Sequence, residues 1–262
     1  MLAESLAYLM TPCPGWARRA GYLYWAIGLS ARHHRCRAAW RSHRESCRRL
    51  ILEAAGRCRT RGRVVVLGSG VLAEVPVAEL AARFQEVVLV DAVHLWSVRR
   101  YVRRWPQVRL MSLDVTGVVE PLLAGGREQP VAAWGEALLG LEADLVISAN
   151  LLSQLPQLPL ALRERLDASA DEGEADRFGA ALIRCHLEGL SALGRVVCLM
   201  SDVEHREYEG NRLVQSTDLL YGVTLPSPDR EWMWTLAPHP EAHPVQDWCR
   251  RVRGWIWETG PG

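Results

Sequence analysis

A doubly wound α/β fold around a mostly parallel sheet is predicted by three observations. Short, continuous apolar runs, each closed by a glycine or a polar residue, recur between Arg63 and Asp202. Stretches of helical period separate them, and strands alternating with helices imply parallel pairing with right-handed crossovers. After Asp202 the period changes to two, with tryptophans alternating against other residues, as in strands with two unlike faces.

Composition agrees with this class. The chain has 262 residues, 49% hydrophobic and 23% charged, which suits one α/β domain with an appendage. The division expected is a helical cap over residues 1–60 and an α/β domain over 61–262. A net charge of +1 gives no polyanion signal, and every basic residue is arginine. The first residues carry Glu4 and no basic n-region, and the apolar stretch Ala20–Ala31 is too short to span a bilayer, so a cytoplasmic location is expected. The seven cysteines are odd in number and form no Cys-x-x-Cys, against a disulfide framework or a ribbon-type zinc site.

The elements follow in order. Before Thr60 the chain reads as helical. Cys36, Trp40, His43, Cys47, Leu50, Ile51, Ala54 and Cys58 fall at steps of three and four, a buried stripe with arginines on the other faces. The cysteines there read as small core residues, and Cys36, His43 and Cys47 lack a fourth ligand for zinc; no metal is expected. "RVVVLGSG" from Arg63 is a strand buried on both faces. "VPVAELAARF" is a short helix opened by Pro76, a residue suited to a first helical position. Glu86–Asp91 is the second strand, "LWSVRRYVRRW" a helix stopped at Pro106, and Val108–Asp114 the third strand. A small helix is expected near Trp134–Leu139, and Ala143–Asn150 is the fourth strand. Leu155–Asp176 reads as a long loop, "DRFGAALIRCHLEGLSAL" as a helix, and Arg195–Asp202 as the fifth strand. A second long loop is expected over Ser201–Arg230, then the tryptophan strands "EWMWTLAP" and "VRGWIWET".

In an open parallel sheet, ligands bind beyond the carboxyl ends of the strands. Five strand ends here carry Gly68-Ser69-Gly70, Asp91, Asp114, Asn150 and Ser201-Asp202. The glycines allow a tight turn and close approach to a ligand. Asp91, 21 residues after Gly70, has the spacing of an acid that bonds a ribose diol, and Asp114 is placed to meet an adenine amino group. Glu74 stands just before the helix that Pro76 opens. An acid there competes with a phosphate for the helix end, and proline offers no N–H. Glu74 also reads as an acid stabilising that helix dipole; either way it disfavours a pyrophosphate. A nucleoside without phosphate and with positive charge fits, and S-adenosylmethionine is such a ligand.

The succession "VVVLGSG", "VVLVD", "RLMSLD", "ADLVISANLLSQLP" and "GRVVCLMSD" resembles the class I S-adenosylmethionine-dependent methyltransferases, whose fold is Rossmann-like. The resemblance covers about Arg63–Asp202 and the closing strand pair. It implies a seven-stranded sheet with the last strand antiparallel. It also implies Gly68 and Gly70 beside the methionine moiety, Asp91 on the ribose and Asp114 on the adenine side. Asn150 to Gln154 would border the transferred methyl, and Ser69, Ala92 and Val115 complete the expected cofactor set. Leu72 departs from the glycine pattern.

Candidate bases for methyl transfer are Asp202, His205 and Tyr208, after the fifth strand. His186 reads as a satisfied helix histidine. "NLLSQLP" lacks the Asn/Asp-Pro-Pro-aromatic motif of amino-directed nucleic-acid methyltransferases, which favours a small-molecule acceptor. Eleven arginines over Arg32–Arg63 form either a solvated helix face or a phosphate-binding one. A protein that keeps the fold as a binding or scaffold subunit is the rival reading, and a nicotinamide dehydrogenase is disfavoured. The tryptophan strands serve either as core or as an edge for a homodimer.

Overall fold

The structure, a computed structural model, describes residues 2–126, 138, 140–166 and 172–259. Four helices precede the sheet: α1 (Leu2–Met10), α2 (Gly15–Ala20), α3 (Tyr22–Arg35) and α4 (Arg41–Arg57). Then come β1 (Arg63–Leu67), α5 (Val77–Ala81), β2 (Glu86–Asp91), α6 (Trp96–Val102), β3 (Val108–Ser112) and α7 (Val119–Leu123). The second half holds β4 (Ala143–Ala149), a 3-10 turn (Leu152–Gln154), α8 (Gln157–Leu166), α9 (Glu172–Leu193) and β5 (Gly194–Glu209). The chain closes with β6 (Arg212–Asp218), β7 (Arg230–Ala237) and β8 (Asp247–Glu258). Apart from Leu138, the helix expected near Trp134–Leu139 lies outside the described residues.

The strands form one Rossmann-like sheet in the order β3-β2-β1-β4-β5-β8-β7, with β6 paired to β5 outside that path. β1 to β5 run parallel, while β8 runs antiparallel to both β5 and β7. The seven-strand path with an antiparallel last strand is the expected doubly wound architecture. Alternation explains its two layers. Val64, Val66, Val87, Leu89, Leu145 and Ile147 enter one core with α4, and Val65, Leu67, Val88, Val90 and Val146 enter the other with α9. Both faces are covered, which is why these strands read as unbroken apolar runs.

Three expectations are corrected. The stripe from Cys36 to Cys58 is buried throughout, but it is not one helix: the chain turns at Cys36–Trp40 between α3 and α4. Residues 157–166, expected in a loop, form α8. Pro159 lies in its first turn, where a missing N–H breaks no helical bond. The loop expected over 201–230 is mostly sheet, because β5 continues to Glu209 and returns as β6 through Gly210-Asn211. Gly210 takes φ 59°, the left-handed geometry that a two-residue hairpin requires.

Candidate functional site

β1 ends where the sheet order reverses between β1 and β4, the place at which a crevice opens in this architecture. A cavity of about 910 Å³ lies there. Gly68, Gly70, Glu74, Asp91, Asp114 and Asn150 line its sheet side, and Tyr22, Trp40 and Trp234 are among its aromatic lining.

The glycine turn is fixed by backbone bonds. The N–H groups of Gly68 and Ser69 both donate to the Val90 carbonyl, at 3.0 and 3.2 Å. Gly68 takes φ 72°, and a Cβ there would stand 2.8 Å from the Leu151 Cβ, so only glycine fits. Leu72, at the position of the missing glycine, still takes φ 61°. The backbone keeps the left-handed conformation and carries the strain in a leucine, of order 1–2 kcal/mol. Ser69 is 1% exposed and is not among the cavity-lining residues, so its part is in the turn.

Asp91 ties this turn to β2. Its Oδ2 accepts the Gly70 N–H at 2.7 Å and its Oδ1 the Val93 N–H at 3.4 Å, and the residue lines the cavity. Burial pushes the Asp91 carboxyl up, opposed by the neighbouring His94 and by the backbone amides. Ala92 and Val115 also line the cavity. Asp114 is more fully engaged: it accepts from the amides of Thr116 and Val119, each at 2.9 Å, and from the Thr116 hydroxyl, and so holds the chain entering α7. Asn150, at φ 50°, accepts the Asp202 N–H on its Oδ1 at 2.7 Å.

Glu74 does not cap α5, whose N-cap is Pro76. It faces His43 instead, with Oε1 3.5 Å from Nε2. The Trp232 indole donates to His43 Nδ1 at 3.0 Å, which leaves the imidazole proton on Nε2, toward the carboxylate. The His43 ring stacks on Trp234 with centroids 4.0 Å apart. Burial raises the Glu74 carboxyl, but the His43 interactions outweigh it and hold the group below the usual range. Glu74 is thus an ionised acid on the cavity wall. Tyr22 stands near the other two acids: burial, then the charges of Asp114 and Asp91, push its phenol well above the usual range.

The three candidate bases do not line the cavity. Asp202 is 6% exposed, takes the Ser153 hydroxyl and lies 3.4 Å from Arg250 Nε. His205 and Tyr208 ride on the extension of β5, paired with β6 and β8. His205 is occupied by Glu207 at 3.1 Å and by the Cys249 carbonyl at 3.3 Å. The loop expected there is a strand, and it carries His205 and Tyr208 outside the cavity lining. His186 is the satisfied residue expected, 2.9 Å from the Ser148 hydroxyl. The sequence reading missed Tyr22, Trp40 and Trp234 as cavity residues; their only signal was aromatic character on helix and strand faces.

The sequence matches no family model and no curated protein. Among solved structures, it overlaps the Burkholderia thailandensis 1,6-didemethyltoxoflavin-N1-methyltransferase bound to 1,6-didemethyltoxoflavin and S-adenosylhomocysteine. There the identity is 15%, over 93% of this chain and 92% of that one, with a TM-score of 0.39. The DhpI-SAM-HEP complex overlaps at 13% identity over 92% and 99%, with a TM-score of 0.40. The 23S rRNA methyltransferase ErmE overlaps at 11% over 82% and 71%, with a TM-score of 0.29. No helix among the described residues is long and apolar enough to cross a membrane.

Proposed function

We propose that the protein transfers a methyl group from S-adenosylmethionine to a small-molecule acceptor. The carrying observation is the charge of the cavity: Glu74, ionised against His43, shares a strand-end wall with Asp91. A cationic, phosphate-free nucleoside suits such a wall, and a pyrophosphate meets repulsion from Glu74 and no amide from Pro76. Asp91, on the cavity wall, holds the ribose hydroxyls. Gly68 and Gly70 let the methionine end approach the backbone, with Glu74 as counter-charge. Asp114, Ala92 and Val115 border the adenine, and Asn150 borders the acceptor side. When bound, S-adenosylmethionine supplies a methyl group on a cationic sulfur.

The chain's own contribution is alignment and exclusion of water. Holding two reactants in line supplies several kcal/mol of barrier lowering without a base, which agrees with cavity walls from which Asp202, His205 and Tyr208 are absent. An acceptor that is already nucleophilic needs no more. Their absence also favours a second reading, a binding subunit that keeps the cofactor site without turnover. The small-molecule choice is supported by the basic segment. Four of its eleven arginines, Arg35, Arg48, Arg57 and Arg63, are paired with Glu241, Glu79, Glu53 and Glu86, which lowers the positive charge that segment offers to a phosphate backbone.

Calorimetry with S-adenosylmethionine, S-adenosylhomocysteine and NAD tests this. Both adenosyl ligands are expected to bind and NAD is not; binding of NAD alone, or of none, overturns the reading. Binding without any methyl release over a panel of small acceptors selects the binding-subunit version.

A further inference from the structure

Beyond the cofactor wall, the cavity contains unmatched hydrogen-bond donors at its tryptophan end. α3 presents Arg32 and Arg35 to the cavity. Arg35 engages both oxygens of Glu241, its Nε donating to each at 3.0 Å and its second amine at 2.7 Å. Arg32 is left 4.0 Å from that carboxylate, and its buried Nε has no hydrogen-bond partner. Trp234 lines the same cavity at 4% exposure, and its indole N–H has no partner. His33 Nε2 is also unpartnered; the His33 ring lies 5.5 Å from that of Trp40, which lies 4.7 Å from Trp234.

A second arginine stands behind this cluster. Arg250 is the cross-strand partner of Trp234, so both side chains share a face of the sheet. Its Nε lies 3.4 Å from Asp202, while its Nη1 is buried without a partner. Burial lowers the Arg250 pKa, Asp202 opposes this, and the charge of Arg32 adds to the lowering. Three of the nearby acids are engaged: Glu241 by Arg35, Asp202 by Ser153 and Arg250, and Glu74 by His43. Buried donors without partners are rare, and guanidinium and indole N–H groups bond oxyanions strongly.

We infer that the methyl acceptor is an aromatic anion, its carboxylate or phosphate held by Arg32 and the Trp234 indole N–H, its body against Trp40. Arg250 is a positioning residue that adds positive potential behind Trp234. The word acceptor rests on the methyl-transfer reading; the anion site itself does not.

The test uses the full-length protein with benzoate, phenyl phosphate and neutral benzamide as probes. Affinities are measured by calorimetry with S-adenosylhomocysteine present and absent. Benzoate or phenyl phosphate is expected to bind and benzamide is not, and the preferred anion tells carboxylate from phosphate. R32Q is expected to weaken the anion roughly tenfold, as for a lost charged hydrogen bond, and W234F less. Circular dichroism melts establish that both variants fold. Benzamide binding as well as the anions, anion affinity unmoved by R32Q, or no binding of either anion overturns the inference. Anion binding without S-adenosylmethionine binding defeats the cofactor reading and leaves this site standing; the reverse defeats this site alone.

Discussion

The two sides of the cavity are held by different kinds of bond. On the sheet side, main-chain amides set the geometry: Gly68 and Ser69 bond Val90, Gly70 bonds Asp91, and Thr116 and Val119 bond Asp114. On the helical side, side chains far apart in sequence meet: Trp232 donates to His43 across 189 positions, and Arg35 reaches Glu241 across 206. Under the proposed function, main-chain geometry sets the cofactor's place and long-range side-chain packing sets which acceptor fits beside it. Glu74 belongs to the first side by position and to the second by its partner.

The largest effect is expected from breaking the helical side. Trp40 is fully buried, and its indole donates to the Leu236 carbonyl at 2.9 Å. W40A is expected to cost about 4 kcal/mol in denaturant unfolding, as for other buried tryptophans. Hydrogen exchange on that variant divides the two sides: faster exchange in α3 and α4 with β1 to β3 still protected supports the contrast, and equal loss in both removes it. Next is the sheet side. G68A sets a Cβ against Leu151 in a left-handed backbone, and a loss of roughly 2–3 kcal/mol is expected from the strain alone.

How much was legible beforehand follows the same division. Asp91, Asp114 and the glycines were found because each sits at the end of a continuous apolar run, a local signal. Of the expected cofactor set, Ser69 alone does not line the cavity, since its side chain turns into the protein. The aromatic wall was not legible, because burial of Trp40 against Trp234 depends on how α3, α4 and β7 meet. The Ser201–Arg230 segment was misread although Gly210-Asn211 carries a hairpin signal, and with it went the expectation that His205 and Tyr208 face the site. The α8 helix was obscured by Pro156 and Pro159, which helices accept only near their starts.

Smaller effects sharpen the contrast at the junction. D91A is expected to weaken S-adenosylhomocysteine by about 1–3 kcal/mol in calorimetry while leaving the helical side intact; an unchanged affinity places the ribose elsewhere. Glu74 gives the mildest signature, in pH. Its carboxyl is held below its ordinary 4.5 in the folded protein, so its stabilising effect is complete above that value. As pH falls through the lower folded value, the unfolded chain takes up the proton first and stability is lost. Acid unfolding of E74Q is expected to lack that step; an identical acid limb in variant and wild type removes the His43–Glu74 account.

The most direct measurement is a crystal structure soaked with S-adenosylhomocysteine. The account predicts both ribose hydroxyls on Asp91, with the sulfur between Glu74 and Asn150. A ligand lying elsewhere, with Asp91 turned from it and the cavity closed by the protein's own side chains, contradicts it.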